Sequence, residues 1–139
     1  FPQERSSACR ILGQADPKNA EEWFIKGTEE WASRESYLAL ANHYYLQKDW
    51  EVCQLVAKKA LDFDTKPMEF LAEAWAWGHM ADDLVAVSAW QLGDYATAIK
   101  HGSKALEVSP DDERLQNNVK FYQGKIDAKL QSTDQRGSD

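Results

Sequence analysis

An internal repeat constrains this chain more than any other feature of its sequence. Lys48-Asp49-Trp50 and Gly93-Asp94-Tyr95 lie 45 residues apart, and in both an acidic residue at a turn precedes an aromatic one. At the same offset, Lys59-Ala60-Leu61 aligns with Lys104-Ala105-Leu106. Apolar residues on both sides of each turn recur at spacings of three and four, as on one face of an α-helix. Each copy therefore predicts two antiparallel helices joined by a short turn.

Small residues occupy the positions where the paired helices would touch. Ala41 precedes the first turn and Cys53 follows it, while Ala86 and Ala98 hold the same places in the second copy. Two helices approach closely only where the contact positions carry little bulk. Helix hairpins of this kind bury a continuous core by stacking side by side. The sequence therefore predicts an all-α fold of stacked antiparallel hairpins.

Composition limits the classes of partner that this chain can bind and the cellular compartments that suit it. With 16 Lys and Arg against 23 Asp and Glu, the net charge is −7, the wrong sign for binding phosphates. No apolar run approaches the roughly 18 residues of a membrane span. We therefore predict neither a nucleic-acid partner nor a membrane. Cys9 and Cys53 fall inside helical patterns, which favours reduced thiols, and the first residues lack an apolar leader, so the predicted location is cytoplasmic.

The second copy resembles the tetratricopeptide repeat, a helix-turn-helix unit of about 34 residues. The runs Leu92–Ile99 and Lys104–Pro110 carry the resemblance. It implies a short right-handed α-solenoid of stacked hairpins. The offset of 45 residues departs from the family and implies an insertion of 11 residues, which we place at 68–78. The first copy also departs from the family at its turn, where Lys48 replaces Gly.

The predicted organisation has six parts. They are N-terminal helices at 1–33, a first TPR-like repeat at 34–67, the insertion at 68–78, a second TPR-like repeat at 79–112, a C-terminal capping helix at 113–131 and a disordered tail at 132–139. Two repeats are fewer than the three or more that usually bury a continuous core. We therefore expect the terminal helices, the insertion or a dimer to complete the core.

A narrower resemblance covers about 21–122. The motifs Glu30-Trp31, Asp49-Trp50, Glu73-Ala74-Trp75 and Asp111-Asp112-Glu113-Arg114-Leu115 are similar to the helical repeat region that follows the catalytic domain of certain family 2 glycosyltransferases. This resemblance implies an accessory domain that packs on the catalytic domain or holds its acceptor. The sequence shows no strand pattern that could form the catalytic domain itself.

The motifs that could carry chemistry have simpler structural explanations. Asp62-Phe63-Asp64 closes a helix, with no strand before it to build a sugar-nucleotide metal site. His79, Asp82 and Asp83 have helical spacing and could bind a metal, but the solvated start of a helix explains the same residues. Cys53 lacks a candidate base and suits a core position better than a nucleophile. We predict no catalytic residue, no metal, no cofactor and no enzymatic activity.

The repeat resemblance instead implies a binding surface. In this family the first helix of each pair lines a concave face, with a few positions directed at the ligand. Carried over to this chain, these positions form a partner-binding groove of Leu38, Asn42, Tyr45, Asp83, Val87, Trp90, Arg114, Asn117 and Phe121. The alternative is that Tyr45, Val87 and Trp90 only pack against neighbouring helices.

Two groove positions distinguish this chain from relatives that clamp a peptide C-terminus. Asn42 matches an Asn that often binds the backbone of a peptide in this family. Leu38 and Asp83 stand where clamping domains carry basic residues, which argues against binding of a chaperone tail. The predicted function is a non-catalytic module that docks a protein, a peptide or a second copy of itself. The alternative is the accessory helical domain of a family 2 glycosyltransferase, with the adjoining catalytic domain as its partner.

Overall fold

The computed structural model describes residues 1–68 and 71–137, with side chains through residue 134. Within these ranges the chain forms seven α-helices and no strand, which confirms the predicted all-α class. The helices are α1 (Pro2–Ala15), α2 (Ala20–Glu30), α3 (Arg34–Leu46), α4 (Trp50–Leu61), α5 (Met80–Gln91), α6 (Tyr95–Val108) and α7 (Glu113–Gly137). Short 3-10 helices lie at Pro17–Asn19 and Ala74–Trp77.

Consecutive helices pair as hairpins, and the hairpins stack along the chain. Helix α1 packs on α2, α3 on α4, and α5 on α6, while α2 contacts α3 and α4 contacts α5. Helices α1, α3 and α5 touch one another in sequence and form one layer, and α7 packs on α6. The fold is a short helical solenoid with a long final helix. It contains three hairpins, because the predicted N-terminal helices at 1–33 also pair with each other.

Small buried residues recur at matching places in all three hairpins. On the second helix of each pair these are Ala20, Cys53 and Ala98, followed seven residues later by Gly27, Ala60 and Ala105. A Cβ added to Gly27 would lie 3.5 Å from the Cβ of Cys9 on α1, so this pair of helices is also closely packed. The first hairpin escapes recognition in the sequence because the bulky Phe24 stands where the other two have Ala57 and Gly102.

The two predicted repeats meet through the small residues that the sequence singles out. Ala41 and Cys53 are fully buried in one cluster, together with Leu38, Ala57 and Ala60. Ala86 and Ala98 are fully buried in a second cluster, where Tyr122 of α7 packs on them. The predicted close approach of the paired helices is therefore confirmed in both repeats.

Local signals fix the ends of several helices. The Ser33 hydroxyl accepts a hydrogen bond from the Ser36 backbone N–H, and the Ser36 hydroxyl accepts one from the Ser33 backbone N–H, so a capping box opens α3. The Asp94 carboxylate accepts from both the N–H and the hydroxyl of Thr97 at the start of α6. These hydrogen bonds hold the pKa of Asp94 below its usual value. Helix α3 thus begins at Arg34, and α6 begins at Tyr95, directly after the turn predicted at Asp94.

Two predicted boundaries differ from the structure, the end of the second helix, which the helical pattern extends through Trp31, and the start of the C-terminal tail. Trp31 lies beyond the end of α2 in extended conformation, instead of inside that helix. In the insertion at 68–78, residues 69 and 70 lie outside the described residues, and the rest contains the 3-10 helix Ala74–Trp77. Helix α7 continues to Gly137, six residues past the predicted end of the capping helix at 131, while 138 and 139 lie outside the described residues. Polar residues with adequate helix propensity can extend a helix that packs on nothing. Their polarity alone therefore does not reveal where the helix ends.

Substituting Ala98 tests the hairpin packing. Because its side chain is fully buried against Ala86 and Tyr122, we expect Ala98→Leu to lower the free energy of unfolding by about 1–3 kcal/mol through overpacking. Urea denaturation followed by circular dichroism measures the change. Ala96→Leu is the control, since Ala96 is exposed on the same helix and should shift stability by no more than about 0.5 kcal/mol. Equal effects of the two substitutions would refute the pairing.

The turn between the helices of each repeat requires a left-handed residue. Gly93 has φ of 83° and Lys48, at the same place in the other repeat, has φ of 59°. A Cβ at Gly93 would meet nothing within 4 Å, so Gly93→Ala should destabilise only through the backbone, by about 1 kcal/mol. Gly124→Ala, in the exposed part of α7, should instead stabilise by up to about 1 kcal/mol. Thermal and urea unfolding of both variants compares the signs, and a stabilising Gly93→Ala would contradict the turn geometry.

Candidate functional site

A cavity of about 710 Å³ opens between the first two hairpins. Arg10 and Gln14 of α1 line one side of it, and Asn42 and Leu46 of α3 line the other. Phe24 of α2 forms part of the wall, and its ring lies 5.6 Å from the ring of His43. The cavity thus combines an apolar wall with amide and guanidinium groups.

A second cavity, of about 660 Å³, opens between α3, α5 and the start of α7. Asn42 and Tyr45 of α3 face Asp83 of α5, and Arg114 of α7 closes the far side. Two hydrogen bonds of 2.7 and 3.3 Å join the Arg114 guanidinium to the Asp83 carboxylate. This carboxylate raises the pKa of Arg114, so the arginine stays charged while its charge is neutralised locally. Asn42 lines both cavities and marks their junction.

The segment that joins α4 to α5 forms the remaining wall of both cavities. Glu73 and Trp75 line the first cavity, and Ala74, Trp75 and Gly78 line the second. The Glu73 carboxylate pairs with Arg10 of α1 and also accepts a hydrogen bond of 3.2 Å from the Trp75 indole N–H. The inserted residues are therefore part of the candidate site.

Two buried charged residues at the start of α3 hold this segment in place. The Glu35 carboxylate accepts hydrogen bonds from the Glu73 backbone N–H, at 3.1 Å, and the Trp77 indole N–H, at 2.7 Å. The Arg34 guanidinium donates to the Ala76 carbonyl at 2.6 Å and lies over the Trp77 ring, 4.8 Å from its centre. Burial lowers the pKa of Arg34. These contacts fix the segment against α3.

The structure brings four of the nine predicted groove residues together. Asn42, Tyr45, Asp83 and Arg114 line the second cavity. Val87 and Trp90 are half-buried further along α5, and the Trp90 ring packs edge-on against Phe121 of α7 with centres 5.5 Å apart. Phe121 itself remains 63% exposed, and Asn117 is also exposed. Val87, Trp90, Asn117 and Phe121 therefore lie outside both cavities.

One predicted groove residue belongs to the core. Leu38 has no exposed surface and packs in the cluster that contains Ala76, Ala81 and Val85. The inserted segment and α5 cover it, and this coverage is a tertiary effect that counting positions along one helix does not reveal. Glu35, at another position directed toward the ligand in the family, is also buried, because the segment folds over it. The assignment of Leu38 to the groove is therefore wrong.

Sequence reasoning missed the residues that α1 and the inserted segment contribute. Arg10, Gln14, Glu73 and Trp75 line the cavities but belong to no predicted site. The tryptophan-rich end of the insertion was the available signal for Trp75. No comparable signal marked Arg10, because α1 was not recognised as the first helix of a hairpin.

The candidate metal residues serve separate contacts. His79 Nδ1 lies 2.8 Å from the Ser109 hydroxyl, and Asp82 lies 2.9 Å from His101 Nδ1, while Asp83 pairs with Arg114. Among the residues that the structure describes, no three His, Cys, Asp or Glu side chains cluster as metal ligands. The described helices also include none that is long and apolar enough to cross a membrane.

The cysteines are free and buried. Burial raises the pKa of the Cys53 thiol to about 11, although a hydrogen bond with Ser88 opposes the shift. The thiol is therefore protonated near neutral pH, which suits the predicted packing role, since nucleophilic cysteines need an accessible thiolate.

Stacked helix hairpins with a groove along the layer of first helices define a class of helical repeat domain. The fold is that of tetratricopeptide-repeat domains, as comparison with solved structures shows. The Arabidopsis OM64 TPR domain superposes with a TM-score of 0.72 at 16% identity, covering 88% of this chain and 97% of that one. The first TPR of Spaghetti (RPAP3), bound to the HSP90 peptide SRMEEVD, gives a TM-score of 0.72 at 15% identity, covering 89% and 97%. No protein-family model and no curated protein sequence matches the chain.

Truncating Leu38 distinguishes a core role from a groove role. Because Leu38 is fully buried, we expect Leu38→Ala to lower the free energy of unfolding by about 2–5 kcal/mol. Leu46→Ala serves as the matched control on the same helix, since Leu46 is 67% exposed and should change stability by no more than about 0.5 kcal/mol. Urea unfolding measures both variants. A neutral Leu38→Ala would return this residue to the groove.

Proposed function

We propose that this chain is a non-catalytic binding module that holds a peptide segment of a partner protein along the layer of α1, α3 and α5. The observation that carries the proposal is the pair of cavities, about 710 and 660 Å³, which meet at Asn42. Each is comparable in size to pockets that hold small ligands. Together they offer the elongated space that an extended peptide needs.

The chemistry of the walls favours a peptide. Phe24, Tyr45 and Trp75 supply rings that can cover apolar side chains of a ligand. Asn42 supplies an amide that both donates and accepts, which matches the alternating N–H and C=O groups of an extended backbone. An apolar surface with a few well-placed polar groups is typical of specific binding sites.

The electrostatics support binding without a terminal-carboxylate clamp. The two arginines that line the cavities are each paired with an acidic neighbour, Arg10 with Glu73 and Arg114 with Asp83. The HSP90 peptide is a ligand of the RPAP3 domain, and at 15% identity the likeness extends only the fold to this chain. Asp83 occupies the guanidinium of Arg114, so this arginine is not free to bind a terminal carboxylate.

Asn42 provides the test of this proposal. A phage-displayed random dodecapeptide library selects ligands on the intact chain, and isothermal titration calorimetry measures the resynthesised peptides. We expect Asn42→Ala to weaken binding about tenfold, or about 1.4 kcal/mol, through loss of hydrogen bonds to the ligand backbone. The melting temperature should stay close to that of the wild type.

The matched control is Asn118→Ala, which makes the same chemical change on α7 at a residue that lines neither cavity. It should leave affinity unchanged. Selected peptides that bind both variants as tightly as the wild type would move the binding surface elsewhere, and a library that yields no ligand would remove the proposal.

The narrower predictions stay predictions. Neither named structural neighbour is described as part of a glycosyltransferase, so the accessory-domain alternative gains no specific support. The predicted cytoplasmic location, the homodimer and the lack of enzymatic activity likewise stay predictions.

A further inference from the structure

The inserted segment divides the groove into three compartments. A third cavity, of about 250 Å³, lies beside the first and shares Ser7, Arg10 and Glu73 with it. The Arg10–Glu73 ion pair therefore forms the partition between these two. Trp75, together with Asn42 and Met80, lines both larger cavities and forms the second partition. Both partitions contain a side chain of the segment.

The segment has an anchored half and an exposed half. Ala76 is fully buried, and Trp77 is held by the Glu35 carboxylate and the Arg34 guanidinium. By contrast, the Glu73 side chain is 47% exposed and Trp75 is 41% exposed. Solvent-exposed side chains separate from their contacts more readily than buried ones do. The side chains of Glu73 and Trp75 can therefore leave the groove while Ala76 and Trp77 stay in the core.

We propose that Glu73 and Trp75 act as an autoinhibitory occupant of the groove, which an incoming peptide must displace. The inference rests on the proposed function, since it concerns regulation of the same site. The segment is held as a ligand would be: its Glu73 N–H and Ala76 carbonyl are bonded by side chains of α3. An extended ligand cannot run from the smallest cavity into the second large one while both partitions stand.

The Arg10–Glu73 pair also specifies the chemistry of the ligand. The Arg10 side chain is only 11% exposed, so displacing Glu73 would leave a nearly buried cation without its acidic partner. An unpaired buried charge is strongly unfavourable. The displacing peptide must therefore supply its own carboxylate, from an Asp or Glu side chain, to the place that Glu73 vacates.

The first arm of the test follows the segment without any ligand. In Glu73→Gln, the ion pair with Arg10 is lost while size and shape are kept. We expect amide hydrogen exchange in 71–77, measured by mass spectrometry, to speed up at least about tenfold relative to wild type. Exchange in α4 and α6 should stay unchanged. Glu107→Gln is the control, because it removes the same charge from an exposed position on α6.

The second arm measures binding. The phage-displayed dodecapeptide library is panned in parallel on wild type and on Glu73→Gln. Peptides from the variant should carry an Asp or Glu at a fixed position and bind it at least about tenfold more tightly than wild type. The double variant Arg10→Gln/Glu73→Gln should lose this gain, and so should peptides in which Gln or Asn replaces the acid. If the gain in affinity requires a free peptide C-terminus and disappears when the C-terminus is amidated, the carboxylate belongs to the peptide terminus. That result would overturn the claim that an Asp or Glu side chain supplies it.

The outcomes separate this inference from the proposed function. If peptides bind wild type and Glu73→Gln equally and amide exchange in 71–77 is unchanged, the segment only stabilises the fold. The further inference would then be wrong, and the proposed function would survive. Faster exchange in 71–77 with no peptide selected on either protein would overturn both proposals. Faster exchange together with acid-dependent, Arg10-dependent binding supports the inference.

Discussion

Close contact between paired helices is the constraint on which the rest of this structure depends. Each hairpin places Ala, Cys or Gly where the helices meet, as at Ala41 and Cys53. Where a ring intrudes, its partner is a glycine. A Cβ at Gly13 would lie 2.8 Å from the Phe24 ring, and one at Gly102 would lie 3.0 Å from Tyr122. Since helix spacing depends on the side chains at the contact, these pairs set how closely α1 packs on α2 and α6 packs on α7.

The path of the inserted segment depends on a different interaction, the pairing of buried charges with backbone and indole groups. Buried charges are costly unless hydrogen bonds satisfy them. Arg34 and Glu35 lie side by side at the start of α3, and the segment supplies the acceptor for one and the donors for the other. The same contacts that stabilise these charges position Glu73 and Trp75 in the groove. Arg34 and Glu35 thus link the stability of the fold to the proposed obstruction of the groove.

The groove itself combines the geometry of the fold with the chemistry of this chain's own side chains. The layer of α1, α3 and α5 provides the concave space, while Asn42, Tyr45 and Trp75 give it amide and aromatic walls. The ion pairs Arg10–Glu73 and Arg114–Asp83 leave little uncompensated charge there. Under the proposed function, we therefore expect selectivity among peptides to depend on which of these ion pairs a peptide can break. We also expect it to depend on how well the apolar side chains of the peptide fit the cavities.

Local and periodic features of the sequence determined the helices and the pairing within the two repeats. The spacing of apolar residues, the Ser33 cap, and the Asp94 turn act through contacts a few residues apart, so the sequence displays them directly. The small residues Ala86 and Ala98 carried enough information to predict their contact, because a repeated unit shows the same pair twice.

Only the tertiary structure decided which residues form the site. Leu38 is core because Ala76 and Val85 cover it, and Arg10 belongs to the groove because α1 stacks on α3 as part of a first hairpin. These facts depend on contacts between residues far apart in the chain, such as Arg10 and Glu73. Such a contact produces no periodic pattern in the sequence. The sequence by itself determined the helices and most of their pairing. The packing of separate hairpins and the fold of the insertion decided which side chains are exposed. The reason is that the burial of a residue depends on what covers it and not on its own helix.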